Sequence, residues 1–526
     1  MGEVAPHVVM MVANDIVNDT RVLKEADALA GAGVRVTLFG VVRDGTASVE
    51  RMGNGVLKVL VRGRFVLRDD RTRRRKGRRG SRSGEAVAAL VARAARVRAR
   101  RGDLKAAAGH AVAQRRAGQL SGVAFKVGVA KRVVLAKRWQ VAAVTTRLRL
   151  NVARRQVKTT GNIWRRWDAR TAKSKRVSWR TEIPEAYDYE TIFGDILDKT
   201  RPDVIHAHDM HVIGVAARAA GRAQLRGHSV KTVYDAHEFV PGLSVYPPRT
   251  PRLIAAWSRH EAEFIRYMDR VVTVSPAIAR ALQQRHELPR EPTVVMNSPR
   301  LEQDDRPAVP SIRQGIPEGV PLLVYSGGVT RARGVETAIQ ALPELPGVHL
   351  AVVCVPTVEM RPVYELQALA EKLDVDDRVH YLDPVPPDDV VPFLEQADIG
   401  LIPILRFPSH EMALPNKVFE YIFAGLPIVT SDMPSLQEFV RQTGIGEVFE
   451  AENPTDLAAA VTRVLEDRDT YRENATKPEL LREVSWETQS QHLRDLYADL
   501  LGRRLAPTPP IEDVELEKSL RTILGI

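Results

Sequence analysis

The sequence predicts an α/β protein of two tandem, doubly wound domains, and three observations predict it. Short apolar runs that end in polar residues alternate with amphipathic stretches, the pattern of a parallel sheet covered on both faces. This alternation occurs twice, on either side of the Pro- and charge-rich segment NSPRLEQDDRPAVPSIRQGIPEGVP. The chain's 526 residues also exceed what one hydrophobic core organises.

In the first series HVVMMVA reads as a strand, DTRVLKEADALAGAG as an amphipathic helix closed by Gly33, and VRVTLFGVV as the next strand. The rhythm resumes with the helix PEAYDYETIFGDILDKT and the strands PDVIHAHD and VKTVYDAHE. DRVVTVSP and PTVVMNSP follow as strands around the helix AIARALQQRHE. In the second series PLLVYSGG, VHLAVVCV and RVHYLDPV are strands separated by the helices GVETAIQALPEL and VYELQALAEKL. A helix SWETQSQHLRDLYADLLGRR and a tail with room for one more helix end the chain. The predicted domains are 1–300, interrupted by an insertion at about 64–182, then 301–484. Residues 485–526 are expected to cross back to the first domain. Both domains are Rossmann-like, so ligands are expected at the carboxyl ends of strands. His206, His208, Asp209, Asp235, His237, Glu238 and Asn297 cluster at or near such ends.

The net charge of +12 conceals an asymmetry. Residues 62–180 hold 36 Lys and Arg against 5 Asp and Glu, whereas the remainder is net acidic. The single cysteine, Cys354, excludes an internal disulfide and fits a reducing compartment. No run reaches the ~18 apolar residues that span a bilayer. The N-terminus lacks a charged region before its apolar run and reads as a strand rather than a signal peptide. The expected location is cytoplasmic, with peripheral attachment to the inner membrane face open.

The second series carries the sharper chemistry. A phosphate is held by the exposed N–H groups of a helix start, with Arg or Lys adding charge. Two such starts follow from the sequence. In SGGVTRARGVE a strand runs into Gly327 and Gly328, and Arg331 and Arg333 precede a helix. In LPNKVFEY, Pro415 opens a helix whose first turn holds Asn416 and Lys417. Together they suit a diphosphate. Glu420, about one turn further on, is then placed to accept hydrogen bonds from the vicinal hydroxyls of a ribose.

With these residues the chain resembles a GT-B glycosyltransferase, and FEYIFAGLPIVTSD resembles the C-terminal motif of retaining glycosyltransferase family 4. The resemblance implies that Glu420 holds the donor ribose. It departs at the family's first motif Glu, which falls on Met412, with Glu411 one position early as a substitute if the loop shifts. The family's diphosphate Lys maps to Arg333 and its Arg to Gly328, leaving Arg331 or, preferably, Lys417 to supply charge. The nucleobase is expected near Val385 and Pro386 through backbone contacts. NDIVNDTRVLKEADALAGAGVRVTL, PDVIHAHD, YDAHEFVP and VVTVSPAIARAL resemble the family's N-terminal half, and His208 aligns with the position that approaches the donor sugar. Arg333, Lys417 and His208 are therefore the expected catalytic residues. Asp19, Arg21, Asp209, His237 and Glu238 are expected on the acceptor side of the cleft, with Asp19 also suited to capping a helix. The resemblance implies a nucleotide-sugar donor, a glycan or lipid-linked acceptor, and no metal or cofactor. His206, His208 and His237 are read as lying on different strands, without a supporting cysteine, and not as metal ligands.

The basic insertion needs its own reading. RDDRTRRRKGRRGSRSG is too charged to fold alone and is expected to be disordered. In EAVAALVARAARVRARR, Val87, Leu90, Val91 and Ala94 share one helix face and Arg93, Arg96 and Arg100 another. Trp139, Trp164, Trp167 and Trp179 lie among the cations. An anionic membrane surface is the favoured partner, ahead of a helical hairpin packed on its own domain, and nucleic acid is the least favoured. Two rival functions share the fold: a sugar-nucleotide epimerase, and an inactive scaffold that binds nucleic acid or an assembly.

Overall fold

The computed structural model describes residues 5–17, 19–76, 82–155, 178–245, 249–301 and 309–526. Eight strands form the first sheet: β1 (His7–Met11), β2 (Arg35–Val42), β3 (Ser48–Arg51), β4 (Leu57–Arg62), β5 (Val204–His208), β6 (Lys231–Ala236), β7 (Arg270–Thr273) and β8 (Thr293–Val294). Their order is β3-β4-β2-β1-β5-β6-β7-β8, parallel except for β3 on β4. Six strands form the second: β9 (Leu322–Gly328), β10 (His349–Val355), β11 (Val379–Leu382), β12 (Ile399–Ile402), β13 (Ile428–Ser431) and β14 (Gly446–Phe449). It is wholly parallel in the order β11-β10-β9-β12-β13-β14. The strand order reverses between β1 and β5 and between β9 and β12, where crevices open beyond the strand ends. Buried Val and Met in β1, and Leu, Ala, Val and Cys in β10, on both faces explain why these strands read as continuous apolar runs.

Part of the predicted linker belongs to the second domain, because Ile312 and Ile316 are buried in its core. The C-terminal helix Trp486–Leu501 packs on the first domain. Its Trp486, Leu493 and Tyr497 share an apolar cluster with Val8, Val22 and Leu29, and the Tyr497 hydroxyl is hydrogen-bonded to His206 Nδ1 at 3.0 Å. The chain thus crosses between domains twice, and the crossings touch: Trp486 N donates to Pro299 O at 2.8 Å and Leu301 N to Glu487 at 3.1 Å. A final helix, Val514–Leu524, buries Leu520 beside Phe39 and Val49. Arg35 pairs with Asp513 and Arg51 with Glu517 to hold it there.

Four helices place the insertion: α1 (Thr20–Ala30) before it, then α2 (Val66–Lys76), α3 (Arg82–Arg116) and α4 (Gly122–Arg155). The expectation of disorder fails over 82–84, which open α3, and over 68–76, which belong to α2. There Asp188 accepts from the N–H groups of Leu67 and Arg68, groups a helix start leaves free. Residues 77–81 lie outside the described residues. The helix α3 packs on its own domain, against the helix Ile213–Leu225. Gly109 and Gly221 let the two backbones touch, since a Cβ on Gly109 would fall 2.1 Å from Gly221 O. Arg218, fully buried, donates to Asp103 of α3 at 2.6 Å. The side chains of Val87, Val91 and Ala94 lie outside the described residues. Trp179 is a core residue rather than an interfacial one, 3% exposed with its N–H on Glu263 at 2.7 Å. Trp139 stands half-exposed on α4, and Trp164 and Trp167 lie outside the described residues.

Because Leu493 is wholly buried in the first domain's core, Leu493→Ala is expected to cost ~2–5 kcal/mol. Urea denaturation followed by circular dichroism checks this, and a loss below ~1 kcal/mol would mean the helix is not docked.

Candidate functional site

A cleft of about 900 Å³ separates the domains, with walls drawn from both. On the second domain, the C-terminal end of β9 passes through Gly327, whose φ of +137° suits only glycine. A Cβ there would sit 3.2 Å from Lys417 Nζ. The Lys417 ammonium lies 3.8 Å from the centre of the Tyr325 ring, a cation–π contact, and the Tyr325 hydroxyl donates to Gly328 O at 2.8 Å. Burial, and then the Arg333 charge, hold Lys417 well below the usual ammonium range, while Glu420 opposes them. Arg333 lies on a 3₁₀ turn, Arg331–Arg333, ended by Gly334 at φ 68°. Gly334 tolerates no side chain, because a Cβ would meet Pro403 O at 1.7 Å.

Glu420 is half-buried at the cleft on the helix Asn416–Phe423. Burial raises its pKa, and Lys417 and Lys24 pull it back. Three residues separate it from Lys417, yet the two form no ion pair, so the carboxylate is not spent on local helix stability. Asn416 is exposed at the helix start and lines the cleft. Lys24, from α1 of the other domain, donates to Ser298 O at 2.7 Å, and burial lowers its pKa to about 7. Sequence reasoning missed Lys24. Its position three residues after Arg21, on the same helix face, was the available signal.

Several expected residues lie elsewhere. Arg331 is exposed and does not line the cleft, because the 3₁₀ turn directs it outward. Val385 and Pro386 follow β11 but do not line the cleft either; Val355 and Val390 form that part of its wall. Glu411 does not replace the missing glutamate by reaching into the cleft. It pairs with Arg406 at 3.4 Å, which also binds Asp432 at 2.7 Å, while Ser409 and His410 face inward. Met412 packs on an apolar cluster of the first domain, and its carbonyl accepts from Ser275 Oγ at 2.7 Å. An acid at Met412 would enter that apolar contact.

On the first domain, Asp19 caps α1, accepting from Val22 N, and also receives Asn14 Nδ2 at 2.8 Å. Arg21 is buried and binds Asp235 through two hydrogen bonds, at 2.7 and 2.8 Å. It also donates to Val295 O at 2.6 Å and pairs with Glu25 at 3.0 Å. His208 does not reach the cleft. It is fully buried, stacked on His206 at 4.2 Å and bonded through Nδ1 to Asp235 at 3.1 Å. The alternation of a strand puts both histidines on one face of β5, beneath the cleft floor. His237, two residues beyond Asp235, is the histidine that edges the cleft. Burial opposes its charge, but Asp235, hydrogen-bonded to its Nε2 at 3.0 Å, raises its pKa to about 9. Asp209, at φ 66°, binds His211 and the N–H of Met210 and is turned from the cleft. Glu238 faces the cleft with its pKa raised by burial. Asn297 lines it too, with its Oδ1 unpartnered. Glu25, His206, His208 and Asp235 lie close enough for metal ligation. The Arg21 guanidinium already stands among them as the cation their carboxylates bind.

Two facing Rossmann-like domains with a cleft at their strand ends define a GT-B architecture. Solved structures share it: sucrose-phosphate synthase from Thermosynechococcus elongatus superposes with a TM-score of 0.59 at 14% identity, covering 94% of this chain and 99% of that one. Anabaena Alr3699/HepE in complex with UDP and glucose gives 0.53 at 13% identity, covering 94% and 99%. Residues 311–478 match the model of Glycosyl transferases group 1 and residues 135–298 that of Glycosyltransferase Family 4. Each model covers about a third of the chain and together they span both domains, so the chain is similar to group 1 and family 4 glycosyltransferases. An uncharacterized glycosyltransferase, MJ1607, of Methanocaldococcus jannaschii is 27% identical over 195 residues, 36% of this chain and 48% of its own. The D-inositol 3-phosphate glycosyltransferase of Corynebacterium kroppenstedtii is 25% identical over 205 residues, 36% of this chain and 43% of its own. The chain thus spans about half the length of the curated relatives it matches.

The His237–Asp235 contact has a pH signature. A histidine raised from 6.5 to about 9 adds stability that is fully present below pH 6.5 and lost as pH rises through about 9. Urea titrations across that window should show the loss in wild type and a flatter profile in His237→Gln. Asp235→Asn, which strands the buried Arg21, is expected to cost ~3–5 kcal/mol in the same assay.

Proposed function

We propose that the protein is a retaining glycosyltransferase that moves a sugar from a nucleotide-diphosphate sugar to a glycan or lipid-linked acceptor, without metal or cofactor. One observation carries the reading. Arg333 and Lys417 line the cleft with Gly327 and have no carboxylate hydrogen-bonded to either, and Glu420 stands one turn along the helix from Lys417. Two cations that face a cleft and hold no carboxylate by hydrogen bonds suit a diphosphate, and a carboxylate one turn away suits vicinal ribose hydroxyls.

In such a transfer the bond from the anomeric carbon to the diphosphate breaks, and the acceptor oxygen bonds on the same face. Charge grows on the departing diphosphate, where Arg333, Lys417 and the helix start at Asn416 stabilise it. The departing phosphate oxygen takes the acceptor proton. His208, sealed beneath the floor, positions Asp235 rather than touching substrate. His237, held protonated by Asp235, adds positive charge to the opposite wall. Closure of the domains excludes water.

A thermal-shift screen of UDP, GDP and ADP tests the binding half. UDP is the first choice, because a solved structure of similar fold carries it. The matching nucleotide should stabilise the wild type by ~2.7 kcal/mol at a hundredfold excess over its dissociation constant. Glu420→Ala should lose most of that gain, and a wild type that no nucleotide stabilises would overturn the reading. Product analysis by proton NMR should then give the donor's own anomeric configuration.

Binding should also take up protons. Free Lys417 has its charge disfavoured and a diphosphate restores it, so its pKa rises on binding. Affinity is then lost as pH rises from the free toward the bound pKa of Lys417. Calorimetry in buffers of different ionisation enthalpy reads the uptake, and Lys417→Gln should abolish its share.

A further inference from the structure

The helix α4 presents a surface that the glycosyltransferase reading leaves unused. Its 34 residues span about 50 Å and carry nine Lys and Arg with no acid. One face packs on α3. The opposite face carries Val123, Val127, Val134 and Val141, which are 75%, 49%, 68% and 63% exposed. At 100° per residue the spacings of four, seven and seven bring all four within about 40° of one line. All four lie on the exposed side of the helix. Lys126 and Lys137 flank the four on one side and Lys131 and Arg138 on the other, all exposed. Between α3 and α4 lies a second apolar feature, a cavity of about 340 Å³. Leu104, Val112, Phe125 and Val133 line it, and Lys105 and Arg132 stand at the same cavity.

We propose that the outer face of α4 docks on an anionic lipid surface, with its valine stripe in the headgroup boundary and its flanking cations on lipid phosphates. An apolar line edged on both sides by cations is the chemistry of an interfacial helix. A second copy of this chain fits poorly, because α4 against α4 would oppose nine cations with nine. A nucleic acid would use the cations but leave the valines in water. Among the described residues no helix is long and apolar enough to cross a membrane, so the contact lies along the surface. This inference stands apart from the donor site, because none of α4's described residues lines the cleft.

Flotation of the full chain with phosphatidylcholine vesicles, with and without phosphatidylglycerol, tests it. Binding is expected with phosphatidylglycerol and not with phosphatidylcholine alone. Lys131→Glu/Arg138→Glu should weaken it at least about fivefold per cation removed. Val127→Asp/Val134→Asp, at exposed positions that leave the fold intact, should abolish it. Both variants should keep the wild-type melting temperature and nucleotide-induced shift, which separates failure here from failure of the donor-site reading. Absence of vesicle binding, or equal binding with and without phosphatidylglycerol, overturns the proposal. So does binding that survives the valine changes and is competed by RNA, which would mark a general polyanion surface.

Discussion

The first domain is organised around the buried pair of Arg21 and Asp235. The guanidinium comes from α1 and the carboxylate from the end of β6, and the Arg also holds the carbonyl of Val295 beyond β8. Three elements far apart in sequence therefore meet on one ion pair. Taking both charges out of water is costly, and here the Arg21 nitrogens and both Asp235 oxygens all find partners. Asp235 serves Arg21, His208 and His237 at once, so the floor of the cleft and the charge on its rim share one carboxylate.

The second domain handles charge in the opposite way. Lys417 is buried without an acid at hydrogen-bond distance and rests on an aromatic face instead. Glu420 follows on the same helix and is likewise unmatched. Neither arrangement adds to stability, since each leaves a charged group partly desolvated without a counter-ion. Native proteins keep such groups where a ligand supplies what is missing. The contrast is between Arg21 and Asp235, which are paired beneath one wall, and Lys417 and Glu420, which are unpaired on the other.

Much of this was legible in the sequence. Parallel strands buried on both faces leave continuous apolar runs, and their polar tips mark the edge where a ligand sits. Glu420 within an apolar helix, and the glycines after Tyr325, pointed to the second domain's half of the cleft. Other assignments were not readable, for identifiable reasons. HAH on β5 tells a reader that His206 and His208 share a face, but not whether that face looks to the cleft or to the C-terminal helix. Tyr497, almost three hundred residues away, occupies that side. Glu411 could be placed only once Arg406 was seen to hold it outward. In the insertion, charge density pointed to disorder from residue 68 onward, where Asp188 and Glu185 from the helix beyond the insertion hold Leu67, Arg68 and Arg71.

The paired crossings near Pro299 and Trp486 bear on how the two domains move. A single connecting strand lets two bodies swivel about any axis through it. Two strands held side by side by a backbone hydrogen bond act like the leaves of a door hinge, which leaves bending as the low-cost motion and resists twist. Any approach of the two cleft walls is then guided along one arc. The alignment of the walls is thus governed at a point remote from them, by residues outside the cleft lining.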